Sequence, residues 1–186
     1  MRIFLTSFFC MCLFTIMYVS PANAEIISQY KKSYYDVTGN KLNKVRTSIN
    51  KNRSGDQDIS TKWDIKWNYD FERTRDGDCE IAALNVSLNL TSELPLWSGY
   101  EQAGASDKSL WDEYINLLSE HEKSQRINAE LAAQKIFDTL YKHKNICSKM
   151  SRSLDSMAKS IIDDYKDTEQ ENNIKLKGYD LKKKFF

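Results

Sequence analysis

Proline and glycine are scarce in this 186-residue chain, at 2 and 6 residues, which excludes a collagen-like or Pro/Gly-rich polymer. Aromatic residues at 12% and hydrophobic residues at 41% are too plentiful for an intrinsically disordered chain. Neither sign of charge prevails, since 27 Lys and Arg stand against 26 Asp and Glu. A neutral domain has no overall field to attract a polyanion. No stripe of basic residues interleaved with aromatics is present either, so nucleic acid is not an expected partner. Also missing are a G-x-S-x-G nucleophile elbow, a Gly-rich phosphate loop and any C-x-x-C pair. Histidine occurs only as His121 and His143.

The one long apolar run stands at the start. Met1-Arg2 is a short positive beginning, and Ile3 to Val19 is apolar apart from Thr6, Ser7 and Thr15. Ser20-Pro21 ends the run, and Ala22-Asn23-Ala24 gives the small-x-small pattern of a signal-peptidase site. Residues 1–24 therefore read as a signal peptide, cleaved after Ala24, which directs the protein to the periplasm or out of the cell. A membrane anchor is the alternative reading. The run is near the lower length limit for a span and the cleavage pattern follows at once, so no span is expected in the mature protein.

The leader holds Arg2 and no acidic residue, so its removal leaves the basic residues equal to the 26 acidic ones. Cys10 and Cys12 leave with it, and neither follows a lipoprotein-type small-residue box. Cys79 and Cys147 remain. A lone pair in an exported domain most simply forms one disulfide. Closing a loop of about 68 residues is worth at most about 4 kcal/mol by chain entropy. A Cys-containing metal site is the alternative, without C-x-x-C spacing to support it.

Hydrophobic periodicity sets the element order. Tyr30 to Val37 reads as a short strand ending at the turn Thr38-Gly39-Asn40. Leu42, Val45 and Ile49 recur at helical spacing. Trp63, Ile65, Trp67, Tyr69 and Phe71 alternate with Lys62, Asp64, Lys66, Asn68 and Asp70, a strand with one buried face. The Asp76-Gly77 turn leads to a second alternating run, Cys79 to Leu90, whose phase slips near Ala82-Ala83 as at a bulge. Glu93 to Trp97 reads as a break in that strand and Gly99 to Ser106 as a loop.

From Asp107, with Ser106 or Asp107 as cap, Leu110, Tyr114, Leu117, Leu118, His121 and Gln125 take a helical period that runs to about Lys142, unbroken or interrupted once. A further helix reaches Tyr165. The fold expected is α+β: a small antiparallel sheet, a long helix and a C-terminal helix. Residues 25–166 form a single domain and 167–186 a polar, poorly ordered tail.

Several stretches in this order resemble the bacterial domain-of-unknown-function family numbered 922, described as predicted secreted zinc-dependent proteases. They are Tyr35-Asp36-Val37-Thr38-Gly39, Thr61 to Trp67, Cys79-Glu80-Ile81, Leu94-Pro95-Leu96-Trp97, Trp111 with Tyr114, and His121-Glu122. The resemblance covers roughly residues 30–147. It implies a zincin-like helix carrying H-E-x-x-H, in which histidines at i and i+4 hold Zn²⁺ and the glutamate acts as general base on a metal-bound water. It also implies an edge strand that pairs with extended peptide, for which Leu84 to Leu90 is the candidate.

This chain reads His121-Glu122-Lys123-Ser124-Gln125. His121 matches the first ligand and Glu122 the base, but the second ligand position holds Gln125, whose neutral amide oxygen is a poor zinc ligand. A third ligand, by the same resemblance, falls at Gln170 within Tyr165 to Glu171, so that position is degenerate too. Asp163, Asp164 and Glu169 are carboxylates that could substitute. His143 lies between lysines, which disfavour a metal. The four tryptophans, Trp63, Trp67, Trp97 and Trp111, read as core rather than a ligand cage.

The function expected is a non-catalytic peptide- or envelope-protein-binding module with no cofactor. The alternative is an active zinc metallopeptidase using His121 and Glu122 with other ligands.

Overall fold

The computed structural model of the chain describes residues 24–178. The signal-peptide reading and the last part of the polar tail fall on residues outside that range. The described elements are β1 (Ala24–Val37), α1 (Leu42–Asn52), β2 (Ser60–Arg73), β3 (Asp78–Trp97), α2 (Ala105–Tyr141), β4 (Lys144–Ile146) and α3 (Met150–Gly178), with short 3-10 turns before α2 and before α3. The α+β class holds. No described helix is long and apolar enough to cross a membrane.

β2 and β3 form the antiparallel hairpin that their alternation and Asp-Gly turn foretell, with Ser60 opposite Glu93 and Arg73 opposite Cys79. Asp70 pairs with Ala83 and Phe71 with Ile81, so Ala82 is the extra residue of a bulge where the sequence changes phase. The sheet is nevertheless mixed, not antiparallel. β1 lies parallel to β3 from Ala24–Leu84 to Val37–Trp97, giving the order β1-β3-β2 with β4 added to the start of β3. A parallel pair is not joined by a tight turn, so no local signal announces it.

The same topology corrects the edge-strand expectation. Leu84 to Leu90 has a partner on each side, β1 and β2, so its backbone groups are committed to the ladders. Nor does β3 break at Glu93. It runs on to Trp97, paired beyond Glu93 with β1 alone. Pro95 falls in that one-sided stretch, where a missing N–H need not cost a ladder bond.

One face of the sheet is packed by helices. Leu84, Val86, Leu88 and Leu90 of β3 meet Ala129, Ala132, Ala133, Ile136 and Leu140 of α2, together with Met150, Leu154 and Ala158 of α3. A second cluster joins Val37, Leu42, Val45, Ile49, Ile59, Leu94 and Trp97 to Trp111, Tyr114 and Leu118. Trp63, Trp67 and Tyr69 of β2 are partly buried, and two of them direct their polar ends at α3: Trp67 Nε1 donates to Asp155 at 3.0 Å, and Tyr69 Oη approaches the same carboxylate at 3.4 Å. α3 runs to Gly178, past the Asp167 at which its polar sequence foretells an end.

Two features fix the periphery. Asp58, buried before β2, receives Arg46 from α1, Arg53 at 3.0 Å and Tyr114 Oη of α2 at 2.8 Å, while Tyr35 donates to its carbonyl at 2.7 Å. Burial works against the Arg46 charge, and the Asp58 hydrogen bond and charge more than restore it, so its pKa rises. Burial and then Asp58 push the Tyr114 phenol upward, keeping it a neutral donor. At the turn after β1, Gly39 has φ +152°, and an added Cβ would stand 2.6 Å from Val45 N. Its carbonyl accepts Trp97 Nε1–H at 2.8 Å, which joins two of the stretches that carry the family resemblance.

Cys79 and Cys147 form a disulfide with a Cα–Cα distance of 5.0 Å, beside the pairing of Cys79 with Asn145 of β4. It ties the hairpin to the α2–α3 connection. Cys147→Ala is expected to destabilise the protein by about 2–5 kcal/mol, the usual cost of removing a native disulfide from a small domain. Chemical denaturation under oxidising conditions measures this, and an unchanged midpoint would show the bond to be energetically idle.

Candidate functional site

The buried residues of α2 form one stripe: Trp111, Tyr114, Leu118, Glu122, Gln125, Ala129, Ala132, Ala133, Ile136 and Leu140. Steps of three and four residues keep them on the core side of the helix. Glu122 and Gln125 are the polar members, 6% and 5% exposed. On one side of them the stripe joins the Trp97–Trp111 cluster, and on the other the β3–α3 cluster. The polar pair therefore marks a seam between two apolar cores.

Each neighbouring element brings a polar group to that seam. β3 contributes Ser92, 1% exposed, in the inward row between Leu90 and Leu94. Ser33 Oγ donates to the Ser92 carbonyl at 3.1 Å, and Thr61 Oγ1 lies 3.5 Å from Ser92 Oγ. β1 contributes Tyr30. Burial and then its hydrogen bond with Glu122 raise the phenol pKa, and the Arg126 guanidinium lies 5.8 Å from its ring centroid. Glu122 Oε1 has no hydrogen-bond partner among the described residues, an arrangement that is costly in a buried acid.

α3 contributes Glu169. Trp63 Nε1 donates to its Oε2 at 2.6 Å and Gln125 Nε2 to its Oε1 at 3.4 Å. Asn128 Nδ2 donates to the Tyr165 carbonyl at 3.0 Å, holding α3 against α2 one turn away. Burial raises the Glu169 pKa above its ordinary 4.5, against the opposing pull of Trp63 and Lys166.

The structure thus brings Glu122, Gln125 and Glu169 to one seam, with His121 partly buried on the same helix. It does not bring Gln170, which is exposed; the preceding residue, Glu169, occupies the place beside Gln125. Asp163 and Asp164 are exposed as well. His143 lies beyond the C-terminal end of α2, about 30 Å along the axis from His121 at 1.5 Å per residue. Its Nε2 is 2.9 Å from Ser153 Oγ. Tyr30, Ser92 and Trp63 are seam residues that sequence reasoning did not assign. For Ser92 a signal existed: it is a polar residue in phase with the apolar row Leu84 to Leu94.

These donors do not fit a zinc centre. Gln125 offers an amide where a second imidazole or a carboxylate is needed, and the Glu169 carboxylate already accepts from Trp63 and Gln125. Among the described residues, no group of three or more His, Cys, Asp or Glu could hold a metal ion.

A family model described as "Bacterial protein of unknown function (DUF922)" matches residues 32–172. No curated protein and no solved structure matches the chain.

The Glu169 shift gives a pH test. An acid with a raised folded pKa binds its proton more tightly in the folded state, so its destabilising contribution is absent below the unfolded pKa and full above the folded one. Glu169→Gln keeps a carbonyl acceptor for Trp63 and removes the charge. The variant is expected to be more stable than wild type at about pH 7, with the difference closing towards about pH 4. Urea midpoints at the two pH values measure it, and a difference that widens on acidification would refute the assignment.

Proposed function

As the chain belongs to the DUF922 family of bacterial proteins of unknown function, we propose that it is an exported, non-catalytic module that binds extended peptide or an envelope protein at a protease-like cleft. The observation that carries this reading is the donor set in the seam. Glu122 holds the sequence position of the general base in the motif this chain resembles, but Gln125 stands at the second ligand position and hydrogen-bonds Glu169. His121 then lacks the company of a second imidazole, and Glu122 has no metal-polarised water to deprotonate.

The binding surface assigned to this cleft is the outer edge of β1. β1 is an edge strand of the sheet, and it exposes Ile27, Tyr30 and Tyr34, at 45%, 45% and 55%. Tyr30 also touches the seam through Glu122. A peptide adding to this edge would gain main-chain hydrogen bonds and aromatic contacts. An active zinc metallopeptidase is the second reading, favoured by the proximity of one carboxylate, Glu169, to the motif helix.

Metal analysis separates the two. The purified protein is expected to carry no stoichiometric zinc and to cleave no general protease substrate, with Glu122→Gln changing neither result. Equimolar zinc in the wild type, lost on His121→Ala, would establish the metallopeptidase instead. The geometry also predicts a repair: Gln125→His should raise zinc affinity alone, because Glu169 already lies beside that position. Glu169→Ala on that background should abolish the gain, since ligands of one ion act as a unit. Gln170→His should add nothing, because that side chain is exposed.

A further inference from the structure

At the far end of α2 from Glu122, an open groove of about 790 Å³ runs between α2 and α3. Lys135 lines it from α2, Asn145 from β4, Lys149 from the turn before α3, and Arg152, Ser153 and Ser156 from α3. Met157 and Ile161 add an apolar part, and no carboxylate lines the groove.

Three observations set this groove apart from an ordinary solvated surface. Lys135, Lys149 and Arg152 converge on one concavity with no carboxylate in its lining, and like other exposed cations such as Lys62 and Lys159 they form no ion pair with any described residue. The chain as a whole is almost neutral, with 27 basic against 26 acidic residues, so three uncompensated cations around one groove are a local arrangement. The walls are also partly fixed. Ser153 Oγ lies 2.9 Å and Asn145 Nδ2 3.5 Å from His143 Nε2, and the Cys79–Cys147 disulfide anchors the segment that carries Asn145 and Lys149.

We propose that this groove is a binding site for a phosphate ester. Three cations around one concavity, without a carboxylate among them, attract a compact anion. A phosphoryl group offers several acceptor oxygens, which matches the supply of ammonium, guanidinium, hydroxyl and amide donors. The volume exceeds what inorganic phosphate needs, and Met157 and Ile161 give the organic part of the ester an apolar surface. A soluble phosphomonoester and the phosphate headgroup of an envelope lipid share this chemistry.

The probes are inorganic phosphate and glycerol 3-phosphate by titration calorimetry, and flotation with phosphatidylcholine vesicles with or without phosphatidylglycerol. Lys149→Gln, Arg152→Gln and Lys135→Gln replace exposed side chains, so each should leave the denaturation midpoint unchanged. Each is expected to weaken binding about tenfold, as for loss of a charge-assisted hydrogen bond. Added salt should weaken binding further. Lys62→Gln with Lys66→Gln, on exposed positions of β2, should leave binding as in wild type. Binding of the soluble probes that follows this pattern assigns the site to a free phosphate ester. Flotation that needs phosphatidylglycerol and follows the same pattern assigns it to a lipid headgroup. No saturable binding of any probe would overturn the proposal, as would equal losses in the groove variants and the β2 control.

Discussion

The two-sided hydrogen-bonding of β3 is the constraint on which the molecule is built. This one strand spans Asp78–Trp97, carries β2 along most of its length, β1 along the other side and β4 at its beginning. Its inward side chains pack against α2, so the apolar and polar stretches of the helix stripe and of the strand row must complement one another. Where the helix presents Glu122 and Gln125, the strand presents Ser92, a small polar residue in place of the leucines before and after it. The seam is thus written into both partners. An apolar side chain at either place would remove a hydrogen-bonding group from a region where Glu122 already lacks one for Oε1.

The buried carboxylate of Asp58 plays a corresponding part at the other end. It gathers groups from α1, the α1–β2 connection and α2, and the paired guanidinia offset the desolvation that an isolated carboxylate would suffer. The apolar cluster around Trp97 and Trp111 closes above it. Together the two polar centres divide the long helix into segments with different duties: a packed beginning, a polar middle, and an alanine-rich stretch that lets β3 and α3 come close. Ala129, Ala132 and Ala133 are fully or almost fully buried there.

Much of this was legible in the sequence where the signal was local. The alternation of Trp63 to Phe71, the Asp76-Gly77 turn and the phase slip at Ala82 fixed the hairpin and its bulge, because a strand with one buried face must alternate. The long period after Asp107 fixed α2, whose start at Ala105 differs by only two residues. The pairing of Cys79 with Cys147 followed from these being the only cysteines after Cys12 in a chain read as exported. What the sequence did not show was non-local. β1 joins β3 in parallel without a turn to announce it, so the sheet read as antiparallel and the central strand as an edge. The length of α3 was hidden because its anchors, Trp63 and Asn128, lie on other elements. For the site, the helix motif placed Glu122 and Gln125 on the same stripe, but only packing could choose between Glu169 and Gln170, adjacent residues that a helix points in different directions.

The parallel pairing of β1 carries a consequence for the order of assembly. The hairpin of β2 and β3 closes over a short turn, whereas β1 must span about 60 residues to reach its register, at a larger loop-closure cost. The hairpin is therefore the natural template and β1 the late arrival, although it is made first. Until β3 exists, β1 has no partner in its own chain, and its Ile27, Tyr30 and Tyr34 stand beside unpaired backbone. A strand in that condition needs shelter from other chains during synthesis and folding, and the Lys31-Lys32 pair in its middle supplies a charge that discourages self-pairing.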